Sequence, residues 1–102
     1  MYIHMVHSIM RLPDHIRIIS SAYKHGVADD QIWDSLYNPY RRPLLLRSES
    51  DPMVVLALAE TEDGELFEIG YVPEPDGMAR VIHAMPMRDS YRRRYRSKRR
   101  KC

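Results

Sequence analysis

A chain of 102 residues is one domain long, with room for a single modest core. Its 44% hydrophobic and 29% charged content is ordinary for a globular protein in water, and its longest apolar run, Met53 to Ala59, falls far short of the roughly 20 residues a spanning helix needs. The net charge of +2 hides an uneven distribution: Arg88 to Lys101 carries nine of the sixteen bases and one acid, whereas residues 1–87 carry seven bases and thirteen acids.

A segment of +8 attached to a body of −6 is a footprint for a polyanion, nucleic acid being the commonest. The competing reading is a solvated basic tail. The one cysteine, Cys102, cannot form an internal disulfide, which fits a reducing, cytoplasmic setting. The opening stretch MYIHMVHSIMRLP lacks the basic start and continuous apolar block of a secretory signal. Residues 1–10 read as an arm, a short strand or an alternative-start extension, with the domain beginning near Met10.

Asp14 behind Pro13 is a helix cap, and Ile16, Ile19, Ala22 and Tyr23 share one face at helical spacing. With Gly26 as the stop, a first helix is expected over 14–25. Asp29 and Asp30 suit the positive end of a second helix over 27–38. Its apolar stripe is Ile32, Trp33, Leu36 and Tyr37, with Trp33 expected in the core, and Asn38-Pro39 ends it. The period then changes. Leu44 to Arg47 is a short apolar run, and Met53 to Glu60 a buried strand. Thr61-Glu62-Asp63-Gly64 is a hairpin turn leading into an alternating strand from Glu65 to Val72. Pro73 to Gly77 is a second turn before a strand from Met78 to Met85. Arg88 to about Arg99 reads as a helix with Tyr91 and Tyr95 four apart. The sum is an α+β domain: an N-terminal helix hairpin packed on a three- to four-stranded antiparallel sheet, with a short C-terminal basic helix.

No Cys or His pairing has zinc spacing, and the acids do not group as in a metal nuclease. A glycine-rich phosphate loop and a nucleophile elbow are absent as well. No metal, cofactor or membrane partner is therefore expected. The candidates that remain follow Met78. His83, a side chain whose reference pKa is about 6.5, is a candidate base or acid. Arg80 and Arg88 can hold a scissile phosphate, and Tyr91 and Tyr95 can stack on an unpaired base or lend a phenol. These are the parts of a metal-free ribonuclease in which the RNA 2′-hydroxyl is the nucleophile. Each has a structural counterpart: His83 as a half-buried strand histidine, the two tyrosines as packing residues, Arg80 as a partner of Glu68. In a regular strand Arg80 and His83 point to opposite faces, and one site uses both only where the strand bulges or ends.

The order of landmarks resembles the BrnT ribonuclease toxins, a branch of the RelE/ParE-like toxins of type II toxin–antitoxin pairs. The landmarks are Lys24-His25-Gly26-Val27, an acid-led helix ending at Asn38-Pro39, a strand meander, and Arg80-Val81-Ile82-His83-Ala84 running into an Arg-rich helix that ends near Tyr95. The likeness covers residues 11–96, a single toxin-like domain followed by a basic tail at 97–102. It implies metal-independent RNA cleavage and a cognate, DNA-binding antitoxin, with a dimer or a toxin–antitoxin hetero-oligomer as the assembly. By position, Lys24 and His25 match the Lys-His-Gly stretch, Arg80 the strand arginine, and Arg92 and Arg93 the basic helix. With Arg94 and Tyr95 these form the expected RNA-binding set, beside a catalytic set of Arg80, His83, Arg88 and Tyr91. The chain departs from the family at His83, Met85, Pro86 and Tyr91, where serine, arginine, an Arg/Ala run and an acid are usual. Either His83 with Tyr91 replaces the missing arginine, or the chain is a non-catalytic nucleic-acid-binding module or inert toxin homologue.

Overall fold

The computed structural model describes residues 11–100. The readings of residues 1–10 and of Lys101 and Cys102 lie outside them. Five strands form one mixed sheet: β1 (His15–Ile18), β2 (Leu44–Arg47), β3 (Val55–Glu60), β4 (Leu66–Pro73) and β5 (Met78–Pro86). Their order is β1-β5-β4-β3-β2, with β1 parallel to β5 and the other pairs antiparallel. A one-turn 3₁₀ segment (Ser20–Tyr23) follows β1, α1 spans Asp29–Leu36, and α2 spans Asp89–Arg100.

This architecture corrects the expected N-terminal helix hairpin on a three- to four-stranded antiparallel sheet: the sheet has five strands, it is mixed, and no helix hairpin is present among the described residues. The segment expected as the first helix is strand β1 plus the 3₁₀ turn. Ile16, Ile19, Ala22 and Tyr23 satisfy a helical period, but Ile16 and Ile18 also alternate with exposed His15 and Arg17. Branched isoleucines favour the extended form. The long-range partner decides between the two readings: β1 pairs with β5 from His15↔Met78 to Ile18↔Val81 and covers an edge that would otherwise be open. Gly26 stops the segment as expected, at φ 80°.

The rest of the meander follows the sequence reading closely. The turn after β3 closes with Gly64 N–H donating to the Thr61 carbonyl at 3.0 Å, and Gly64 has φ 90°. Helix α1 begins where Gln31 reaches back to accept from the Ala28 N–H at 2.9 Å, half of a capping box. Alternation along the strands divides the apolar residues between two faces. Ala57, Ala59, Ile69, Val81 and Ala84 join Ile32 and Leu36 of α1 in the larger core. Leu58, Met87 and Tyr95 form a smaller one beneath α2, flanked by Leu44, Leu46, Leu56, Leu66 and Tyr91. One helix therefore covers each face of the sheet. Trp33 corrects a second expectation: it is exposed and stacked on Tyr37, with ring centroids 5.2 Å apart. No helix among the described residues is long and apolar enough to cross a membrane.

Candidate functional site

The site is built around an irregularity in β5. Gly70 pairs with His83, but the next residue of β4, Tyr71, pairs with Val81, so Ile82 is an extra residue on β5. Such a bulge shifts the alternation by one position. Ala79 and Val81 face the α1 core before it and Ala84 after it, so Arg80 and His83 both project from the other face. The extra residue is held in place: the Ser21 hydroxyl donates to the Ile82 carbonyl at 2.9 Å, and the Ile19 N–H to the Val81 carbonyl at 3.1 Å. The 3₁₀ turn thus latches the bulge and carries the following residues alongside β5. There the His25 ring meets the His83 ring edge to face, with centroids 5.9 Å apart.

Behind His83 lies Glu68 of β4, wholly buried. A charge in such a place needs donors, and the carboxylate has four groups supplying them. His83 Nε2 lies 3.2 Å from Oε1. The Arg88 backbone N–H donates to Oε2 at 3.0 Å, its Nε to Oε2 at 3.0 Å, and its Nη2 to Oε1 at 2.7 Å. Burial is the largest single influence on Glu68 and pushes its pKa up. The hydrogen bonds from Arg88 and His83 together outweigh it and hold the carboxyl below its ordinary range. An ionised Glu68 only accepts, so a neutral His83 carries its proton on Nε2 and leaves the Nδ1 lone pair for a substrate.

Arg88 sits where β5 gives way to α2, and its carbonyl accepts from the Tyr91 and Arg92 N–H groups at 3.0 and 2.9 Å. Buried Met87 beside it anchors the junction. The Arg88 side chain is 57% exposed, and its guanidinium carbon lies 5.5 Å from the centre of the Tyr91 ring. The Glu68 carboxylate raises the pKa of Arg88 further. His83 and Arg88 thus share one buried carboxylate, with His25 beside the His83 ring and Tyr91 beside the Arg88 guanidinium.

The other expected residues are placed differently. Arg80 shares the face of His83 but bonds Glu74 at 2.8 Å; Arg17 joins the same carboxylate at 3.2 Å. Arg80 therefore pairs with Glu74, not Glu68, because the strand register sets Glu68 opposite Met85. Lys24 is exposed beside His25. Along α2, Arg93 and Arg94 face solvent, while Arg92 is partly buried and its Nε donates to the Met87 carbonyl at 2.9 Å. Tyr95 is buried, and its hydroxyl donates to Glu60 at 2.8 Å, so its ring packs the helix instead of meeting a base. Sequence reasoning missed Glu68, taking its strand for a half-exposed alternation. A signal was available: Glu68 is the one charge in the run Leu66 to Val72, and such a run reads as a strand covered on both faces. No group of three or more His, Cys, Asp or Glu side chains among the described residues could hold a metal ion.

No family model, curated protein or solved structure matches the chain.

Proposed function

We propose that this chain is a metal-independent endoribonuclease that cleaves RNA through the 2′-hydroxyl. We further propose that it acts in the cytoplasm as the toxin of a type II pair, with a DNA-binding antitoxin as partner. The observation that carries the reading is the cluster of His83, Glu68 and Arg88 with His25 facing it. Two imidazoles beside one arginine are a sufficient set for transphosphorylation. His83 Nδ1 takes the 2′-hydroxyl proton, and the 2′-oxygen bonds to phosphorus. The bond to the 5′-oxygen breaks, and protonated His25 supplies the proton that leaves with it. The products are a 2′,3′-cyclic phosphate and a 5′-hydroxyl. Arg88 offsets the charge that builds on the phosphoryl oxygens, Tyr91 stacks beside it, and Glu68 holds both His83 and Arg88 in place. Lys24, Arg93 and Arg94 bind flanking phosphates.

Cleavage of bulk RNA in EDTA tests the reading. His83→Ala and His25→Ala are each expected to lose about 10²–10⁴-fold in rate. Growth arrest on induction should disappear with either variant. Intact RNA after prolonged incubation with the wild type would sink the proposal.

A second reading is favoured by the engagement of Arg88 and Arg80 with carboxylates: a non-catalytic nucleic-acid-binding module or inert toxin homologue using the exposed bases of α2. It predicts salt-sensitive affinity without cleavage, with a slope of about −0.7 per phosphate neutralised on single strands.

A further inference from the structure

Strand β2 ends the sheet order, and among the described residues no strand pairs with its outer side. Beside that edge lies a hollow of about 350 Å³. The three leucines Leu44, Leu45 and Leu46 line it, each only partly buried. Arg94 and Lys98 of α2 flank it on one side of the sheet, and Arg11 and Arg42 also line it; no acid does. An unpaired edge offers a row of N–H and C=O groups to an incoming chain.

We propose that the β2 edge is a docking site for an acidic, leucine- or valine-bearing protein segment, which adds to the sheet as a further strand. Three features select this occupant. The open edge supplies main-chain hydrogen bonds to an extended chain. The leucines on both faces of β2 bury alternate apolar side chains, since Leu44 and Leu46 point to the α2 face and Leu45 to the α1 core. The positive charge around the hollow favours an acidic segment over a basic one and steers the encounter.

The same features count against two other occupants. A strand of single-stranded RNA is held by stacking its bases on aromatic rings, and no aromatic side chain lines this hollow. A second copy pairing through its own β2 would bring two sets of these four cations together, which is repulsive. Arg94 is shared with the proposed RNA-binding set, so the variants that test the docking site are made at Arg11 and Arg42, which belong neither to that set nor to the His83 cluster.

The test is a titration of the full chain with a short fluorescein-labelled peptide alternating glutamate with leucine and valine, read by anisotropy. The lysine-for-glutamate peptide and a labelled single-stranded RNA serve as comparisons. Saturable binding of the acidic peptide is expected, weakening with salt. The double variant R11E/R42E should weaken it by about tenfold or more while leaving RNA cleavage unchanged. Exchange of the Leu44–Arg47 amides should slow when the peptide binds. Absence of saturable binding overturns the proposal. So do equal binding of the lysine peptide, indifference to R11E/R42E, protection elsewhere than β2, or RNA protecting the same amides. Concentration-dependent self-association that R11E/R42E abolishes would assign the edge to a second copy and overturn it as well. Loss of cleavage with peptide binding retained would count against the ribonuclease reading alone.

Discussion

The two faces of the sheet are built on different terms. The α1 face buries no ionised group: Ala57, Ala59, Ala79 and Ala84 let the helix close onto the strands, Ile32, Leu36 and Ile69 fill the space between, and the buried Ser35 hydroxyl donates to the Ile32 carbonyl. The α2 face buries Leu58, Met87 and Tyr95 but places the wholly buried carboxylate of Glu68 in the same layer. Replacing a whole buried ion pair by apolar side chains is often neutral or stabilising, whereas removing one partner alone is not. The carboxylate instead fixes His83 and Arg88. One face holds the fold together; the other gives up some apolar burial to orient polar side chains. Ile69→Ala puts this contrast at its sharpest, with an expected loss of about 2–5 kcal/mol in urea unfolding. Leu58→Ala should cost less, because the partly buried Leu44, Leu46, Leu56 and Leu66 around it can close into the gap. Equal losses would remove the distinction between the faces.

The faces should also fail at opposite ends of the pH scale. Tyr71 belongs to the α1 core, and burial, with Tyr37 nearby, pushes its phenol up to about 12. Its pKa is raised on folding, so its contribution is complete below the unfolded value of 10.0 and is lost as pH climbs toward about 12. The loss is at most about 2–3 kcal/mol, and Tyr71→Phe should flatten that alkaline limb. Glu68 runs the other way. Its pKa is lowered on folding, so its contribution is present above the ordinary value of 4.5 and is lost as pH falls through the folded value below it. Glu68→Gln should cost about 1–3 kcal/mol near neutrality and flatten the acid limb in denaturant titrations. If the variant keeps the wild-type acid limb, another carboxylate is responsible.

How much of this was legible in the sequence depended on how local each signal was. The turns at Gly64 and Gly77, helix α1, strands β2 to β5 and the basic helix all follow from short-range patterns, and the structure has them within a few residues of where they were expected. The first helix failed because 14–25 satisfies two periods, and the choice between them depends on pairing with β5, more than sixty residues away. Trp33 was expected inside because it lies on the stripe with Ile32 and Leu36; it is instead at the edge of that stripe, stacked on Tyr37. His83, Arg88 and Tyr91 were recognisable by residue type, and the requirement for a bulge if Arg80 and His83 were to share a face could be stated beforehand. Two things were not legible. The bulge at Ile82 is held by Ser21, and Glu68 is held by Arg88 twenty residues on. Both depend on tertiary contacts that no local window contains.

Gly70 offers the smallest perturbation and the one that separates stability from chemistry. It stands opposite His83 across the bulged pair. A Cβ added at Gly70 would lie 3.2 Å from the His83 Cβ, so the histidine must give by a few tenths of an ångström. Replacing a strand glycine by alanine also restricts the unfolded chain, a stabilising effect of about 0.4–1 kcal/mol. The two terms oppose each other, and Gly70→Ala should change unfolding free energy by less than about 1 kcal/mol. Proton transfer has no such compensation. Moving the His83 ring alters its distance both to Glu68 and to the substrate oxygen, and the RNA cleavage rate should fall by about tenfold or more. A rate that follows stability and nothing else would mean that the position of His83 does not matter to the reaction, and the role of its Nδ1 as base would have to be withdrawn.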